Sequence, residues 1–264
     1  MHRTNELEME IEKGTSYWHC FKGTNARRTE IACMVFAGKV LSGSEFAYSG
    51  TFFFEQAGLS PDVTYNLNLG GTAIAFCGTI AAWFLMKAFR RRTMYLSGLA
   101  ATSGALLLIA TLEYSNTQSA VYAQSAFTIV WLLFFSLSIG PMGWCIPAEV
   151  SSTRLRSKTI VLARNAYYIS NAIARVVQPM LINPGELNLK GRTGFFWFAF
   201  CMATLIWGWF RLTETKNRTF EELDIMFENK LPTRKFKSYI VDAYADQSHH
   251  REGSIARAAY SLYT

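Results

Sequence analysis

Thr93-Met-Tyr-Leu-Ser-Gly-Leu-Ala-Ala-Thr-Ser-Gly-Ala-Leu-Leu-Leu-Ile-Ala-Thr-Leu112 carries no charge, and Arg90-Arg91-Arg92 stands directly before it. A helix of that length rises about 30 Å, the thickness of a bilayer's hydrocarbon core. The stretch therefore reads as a membrane-crossing helix with a basic anchor at one end. Five further stretches have the same character: Ile31 to Phe54, Leu69 to Phe89, Tyr122 to Ile146, Thr159 to Ile182 and Gly194 to Leu212. Together they predict an all-α membrane protein, a six-helix transmembrane bundle over residues 29–212. Residues 1–28 form a predicted cytoplasmic segment, and residues 213–264 a cytoplasmic amphipathic helix with a mobile tail.

Composition agrees, with 50% hydrophobic and 17% charged residues in a chain of 264. The mean hydropathy of +0.12 is modest because the polar ends, Met1 to Arg28 and Glu214 to Thr264, dilute an apolar middle. Aromatic clusters such as Phe52-Phe53-Phe54 and Phe195-Phe196-Trp197-Phe198 sit at segment edges, where rings favour the bilayer interface. The net charge of +7 forms no continuous basic stripe of the kind that binds nucleic acid. Its lysines and arginines instead fall in alternate connectors. Arg27-Arg28 precede the first span, Arg90 to Arg92 follow the second, Arg154, Arg156 and Lys158 follow the fourth, and Lys216 and Arg218 follow the sixth. The connectors Glu55 to Asn68 and Glu113 to Val121 have none, and Asn183 to Thr193 has only Lys190 and Arg192. Positive residues are retained in the cytosol, so both termini are expected there.

Cys20, Cys33, Cys77, Cys145 and Cys201 show no metal-ligand spacing, and His2, His19, His249 and His250 all lie in the polar ends. No span pairs a nucleophile with a histidine base, so the chain is not expected to be an enzyme, to hold a metal or to need a cofactor. The first residues, rich in glutamate, do not read as a cleavable signal peptide.

Charge inside a span is expensive and usually faces a cavity or a partner. At 100° per residue, Lys39, Ser42, Glu45 and Ser49 share one side of the first span, and Arg164, Tyr168, Asn171, Arg175 and Gln178 share a narrower arc of the fifth. Both stripes suit the border of a hydrated path. The alternative pairs Lys39 with Glu45 and lets Arg164 and Arg175 snorkel to opposite interfaces. Pro141, Pro147 and Pro179 read either as hinges or as marks of helix ends. Thr219 and Glu222 form a capping box that opens a helix with Phe220, Leu223 and Phe227 on one face, expected along the inner membrane surface.

Several segments resemble the sugar porter family of the major facilitator superfamily, above all its fungal α-glucoside (maltose) permease-like members. The resemblance rests on Cys20-Phe-Lys-Gly-Thr, Cys33-Met-Val-Phe, Glu55-Gln-Ala-Gly-Leu, Ala82-Trp-Phe-Leu-Met, Gly140-Pro-Met-Gly-Trp and Leu231-Pro-Thr-Arg-Lys-Phe. Its most specific parts are Pro147-Ala-Glu-Val-Ser-Ser-Thr-Arg-Leu-Arg, Leu162-Ala-Arg-Asn and Glu214-Thr-Lys-Asn-Arg-Thr-Phe-Glu-Glu-Leu-Asp. It implies the second of two six-helix bundles that enclose a central sugar site, with transport of an α-glucoside or hexose, proton symport, and residence in the plasma membrane. The first bundle has no counterpart here, so the resemblance implies a truncated half-transporter that needs a second six-helix bundle. The alternative is a non-transporting remnant, or a membrane partner that modulates a full-length permease. Arg91, Glu149, Arg156 and Glu214 match the family's cytoplasmic gate of ion pairs. Lys39, Glu45, Trp144, Tyr167 and Tyr168 match its sugar-binding positions, although Lys39 and Glu45 stand where amides are usual. Lys87 and Arg90 replace an acidic residue and a glycine, and Thr213 and Asn217 replace a proline and a glycine.

Overall fold

The computed structural model describes residues 16–48, 60–115, 117–183, 185–229, 231–233, 236 and 239. Among them no strand occurs, and the chain runs as α1 (Thr24–Leu41), α2 (Ser44–Tyr48), α3 (Pro61–Ala88), α4 (Arg91–Leu112), α5 (Gln118–Phe134), α6 (Gly140–Val150), α7 (Arg156–Ile182), α8 (Thr193–Arg211) and α9 (Phe220–Glu228). The predicted mobile tail beyond residue 239 and Ser49 to Phe54 lie outside the described residues.

The first predicted span is not one helix. The backbone turns at Ser42–Gly43, where Gly43 takes a φ of +89° and a β-carbon would sit 3.2 Å from both Leu106 and Trp197. Only glycine tolerates that conformation readily. The second span starts well before Leu69, at Pro61. Proline at the first helical position gives up an N–H that has no partner there, and Asp62 in the first turn complements the helix dipole. The polar residues Asn66 and Asn68 hide this start from an apolarity criterion.

In the fourth span, α5 passes into α6 through a π turn, Phe135–Ile139. Pro141 cannot donate to the carbonyl of Leu137, so the ladder widens and the Gly140 N–H reaches Phe135 O instead. Pro141 thus marks a distortion within a continuous segment, whereas Pro147 and Pro179 lie inside the last turns of α6 and α7.

Among the described residues, four segments are long and apolar enough to cross a membrane: Pro61–Ala88, Arg91–Leu112, Ser119–Val150 and Lys190–Arg211. The other two predicted spans, on α1–α2 and α7, fall short because they carry the charged stripes. They pack along each other, and α1 also lies against α6 and α8. In α3 only 17% of the most apolar window is buried, with Phe76, Trp83 and Phe84 exposed, as expected of a surface covered by acyl chains.

The core is built on α4, whose Tyr95, Leu99, Leu106 and Ile109 meet Trp131, Ile139 and Met142 of the fourth segment and Trp197 and Cys201 of α8. Close approach is set by small residues. A β-carbon at Gly98 would overlap the Ser138 hydroxyl and come 2.5 Å from Ser138 Cβ at the π turn. Gly98→Ala is expected to destabilise the bundle by about 1–3 kcal/mol, seen as a lower thermal unfolding midpoint in detergent micelles. Ala100→Gly, at an exposed position on the same helix, should cost no more than about 1 kcal/mol.

Candidate functional site

Contact between α1, α6 and α7 gathers the predicted sugar-site residues on one wall. Gly143 makes room for Lys39, whose aliphatic stem lies where a β-carbon of residue 143 would be, 2.5 Å from Cδ. Lys39 Nζ then lies 4.7 Å from the Trp144 ring centre and 5.9 Å from that of Tyr167. The Arg164 guanidinium approaches the same indole at 5.0 Å, and its Nη2 donates to the Tyr168 hydroxyl at 3.4 Å. Phe36 meets Trp144 edge to face at 5.1 Å, and Tyr167 meets Tyr168 at 5.5 Å. Trp144 stays 49% exposed and Tyr168 55%, so ring faces and a hydroxyl remain free for a ligand.

Glu45 forms a second group beside the wall. Asn171 Nδ2 donates to Glu45 Oε1 at 2.7 Å, and Arg175 Nε lies 3.7 Å from the same oxygen. Glu45 is therefore held by α7, and the pairing of Lys39 with Glu45 weighed from sequence does not form. The two polar stripes are only partly kept. Ser42 is buried and its carbonyl accepts from Trp131 Nε1 at 3.2 Å, because the break at Gly43 turns it inward. Gln178 is buried too, accepting from Trp197 Nε1 at 2.6 Å, and belongs to the core. Ser49 is outside the described residues. Phe36, Arg164 and Asn171 join the site without having been picked as ligand contacts. Arg164 and Asn171 were on the α7 stripe, and Phe36 precedes Lys39 by one turn, so helical spacing was the available signal. Aromatic faces, a hydroxyl, an amide donor and a carboxylate acceptor together suit a polyol ring with one apolar face.

The basic connectors meet at one end of the bundle. Arg91 Nε donates to Glu149 Oε1 at 3.1 Å, Arg91 Nη1 to Met86 O at 2.7 Å, and the Arg91 N–H to Glu214 Oε1 at 3.0 Å. The Thr215 hydroxyl donates to the other Glu149 oxygen, and Lys216 Nζ donates to the carbonyls of Lys87 and Ala88 at the end of α3. Three of the predicted gate residues, Arg91, Glu149 and Glu214, thus form one cluster joining α4, α6 and the segment after α8. Arg156 stands elsewhere, with its guanidinium 4.4 Å over the Phe220 ring. The departures in the closing motif have local explanations. Asn217 takes a φ of +61°, the left-handed region where asparagine is the best substitute for glycine. Thr213 is buried, and its hydroxyl has no partner among the described residues.

The capping box of Thr219 and Glu222 forms as predicted, with each side chain bonded to the other's backbone N–H. Helix α9 does not simply lie on the surface. Leu223, Met226 and Phe227 are buried, and Asp224 is paired with Arg28 of α1 and accepts from Thr153 Oγ1 of the α6–α7 turn at 2.8 Å.

Comparison with known proteins completes the description. A family model described as "Sugar (and other) transporter" matches residues 2–227. A maltose permease of Saccharomyces cerevisiae is 36% identical over 243 residues, covering 92% of this chain and 40% of that protein. The general alpha-glucoside permease of the same yeast is 33% identical over 246 residues, covering 90% and 40%. The chain spans about two fifths of the length of these curated relatives. Among solved structures, a major facilitator superfamily proton:xylose symporter bound to 6-bromo-6-deoxy-D-glucose superposes with a TM-score of 0.67 at 20% identity, over 76% of this chain and 42% of that one. That likeness shows the fold.

Proposed function

The chain belongs to the sugar transporter family, a family of integral membrane transporters and not of enzymes, and from that premise we propose that it supplies one half of an alternating-access path for a carbohydrate. The observation that carries this reading is the wall formed by Lys39, Trp144, Tyr167 and Tyr168 beside the Glu45–Asn171 pair, on the exposed side of α1, α6 and α7. Six helices present one wall only, so the reading requires a second six-helix bundle or a second copy of the chain opposite it. The cluster of Arg91, Glu149 and Glu214 then serves as the latch of one conformation, on the cytoplasmic side by the positive-inside rule. The relatives' names support an α-glucoside as cargo, and a hexose cargo and plasma-membrane residence rest on family resemblance. Proton symport follows from family resemblance alone.

A second reading is favoured by Lys39 and Glu45, which replace the amides usual at a neutral-sugar site. In it the chain is a non-transporting partner that modulates a full-length permease. Proteoliposomes containing the chain and a complementary bundle separate the two. Saturable uptake of labelled maltose, abolished by Trp144→Ala, is expected for transport. Uptake equal to that of empty vesicles, together with co-purification with an intact permease, supports the modulator.

A further inference from the structure

Lys39 and Arg164 approach the same indole at 4.7 and 5.0 Å, so their charges lie within about 10 Å of each other. Among the described residues neither has a carboxylate partner. The nearby Glu45 is held by Asn171 and Arg175. Two cations on membrane-spanning helices are costly unless an aromatic face, water or an anion meets them, and the rings of Trp144, Tyr167 and Tyr168 supply only the first. Arg164 is exposed and Lys39 half-buried, so both present N–H donors to the same space as the exposed indole.

We propose that this site selects an anionic carbohydrate, in which a pyranose stacks on Trp144 while a carboxylate on the same molecule is held by Lys39 and Arg164. The proposal rests on the transport reading and narrows its substrate class. Neutral sugars offer these two cations hydroxyl acceptors but no counter-charge, whereas a glycosyl acid meets them with charge-assisted hydrogen bonds.

The test compares maltose with maltobionate, which keeps the α-glucosyl ring and carries an open-chain gluconate, with its carboxylate, in place of the reducing-end ring. Titration calorimetry would use the full chain together with a complementary six-helix bundle in lipid nanodiscs. At low potassium chloride maltobionate is expected to bind at least tenfold more tightly than maltose, and the preference should shrink as salt rises. Lys39→Gln and Arg164→Gln should each reduce the preference for maltobionate over maltose severalfold. Equal affinity for the two sugars would overturn the anion inference and leave the transport reading intact. The same holds if the double variant keeps its full preference for maltobionate. Absence of binding by either sugar would overturn both, since the wall would then not be a carbohydrate site.

Discussion

Glu149→Ala is expected to open the basic end of the bundle, lowering stability by about 2–3 kcal/mol and uptake by at least tenfold. The carboxylate is the common acceptor for Arg91 Nε and the Thr215 hydroxyl, so its removal strands a half-buried guanidinium as well as a hydroxyl. Loss of the charge also frees the segment after α8, which Arg91 holds from its other side through Glu214. Thermal unfolding in micelles reads the first effect, and uptake of labelled sugar reads the second. The double variant Arg91→Ala, Glu149→Ala should lose less than the sum of the single changes, because each single change leaves a charge without its partner. An unfolding midpoint unchanged in Glu149→Ala would show that the cluster is an ordinary surface pair, worth less than about 1 kcal/mol.

Trp144→Ala is expected to weaken carbohydrate binding by ten- to about a hundredfold, the equivalent of roughly 1–3 kcal/mol of apolar stacking. Maltose and maltobionate should suffer alike, because the indole recognises the ring that both share. Trp144→Phe should recover most of the loss. This pattern separates the aromatic wall from the cations, whose removal narrows the preference for the acid. Undiminished affinity in Trp144→Ala would place the ligand elsewhere.

The bundle was legible in sequence because acyl chains demand long apolar runs, and α3, α4, α5–α6 and α8 answer that demand directly. What could not be read was what happens where packing overrides periodicity. A 100° wheel places Ser42 and Gln178 with Lys39 and Arg175, but the backbone break at Gly43 and the indole of Trp197 draw both residues into the core. Pro141 read as a hinge or a helix end, whereas the structure makes it the exit of a π turn whose Ser138 sits against Gly98 of another helix. The candidate site follows the same division. Trp144, Tyr167 and Tyr168 were found through resemblance, whereas Phe36 emerged only once α1 was seated against α6 and α7. Arg156 illustrates the opposite failure, since a matching motif said nothing of the Phe220 ring that engages it.

Asp224 gives the molecule a mechanical property. One carboxylate fastens α9 both to Arg28 on α1 and to Thr153 at the foot of α7, the two helices that carry opposite sides of the aromatic wall. This buckle couples α1 and α7 at one end, and Asp224→Ala is expected to loosen their packing, seen as a lower thermal unfolding midpoint in micelles. The fourth segment, by contrast, carries a widened hydrogen-bond ladder between Phe135 and Gly140.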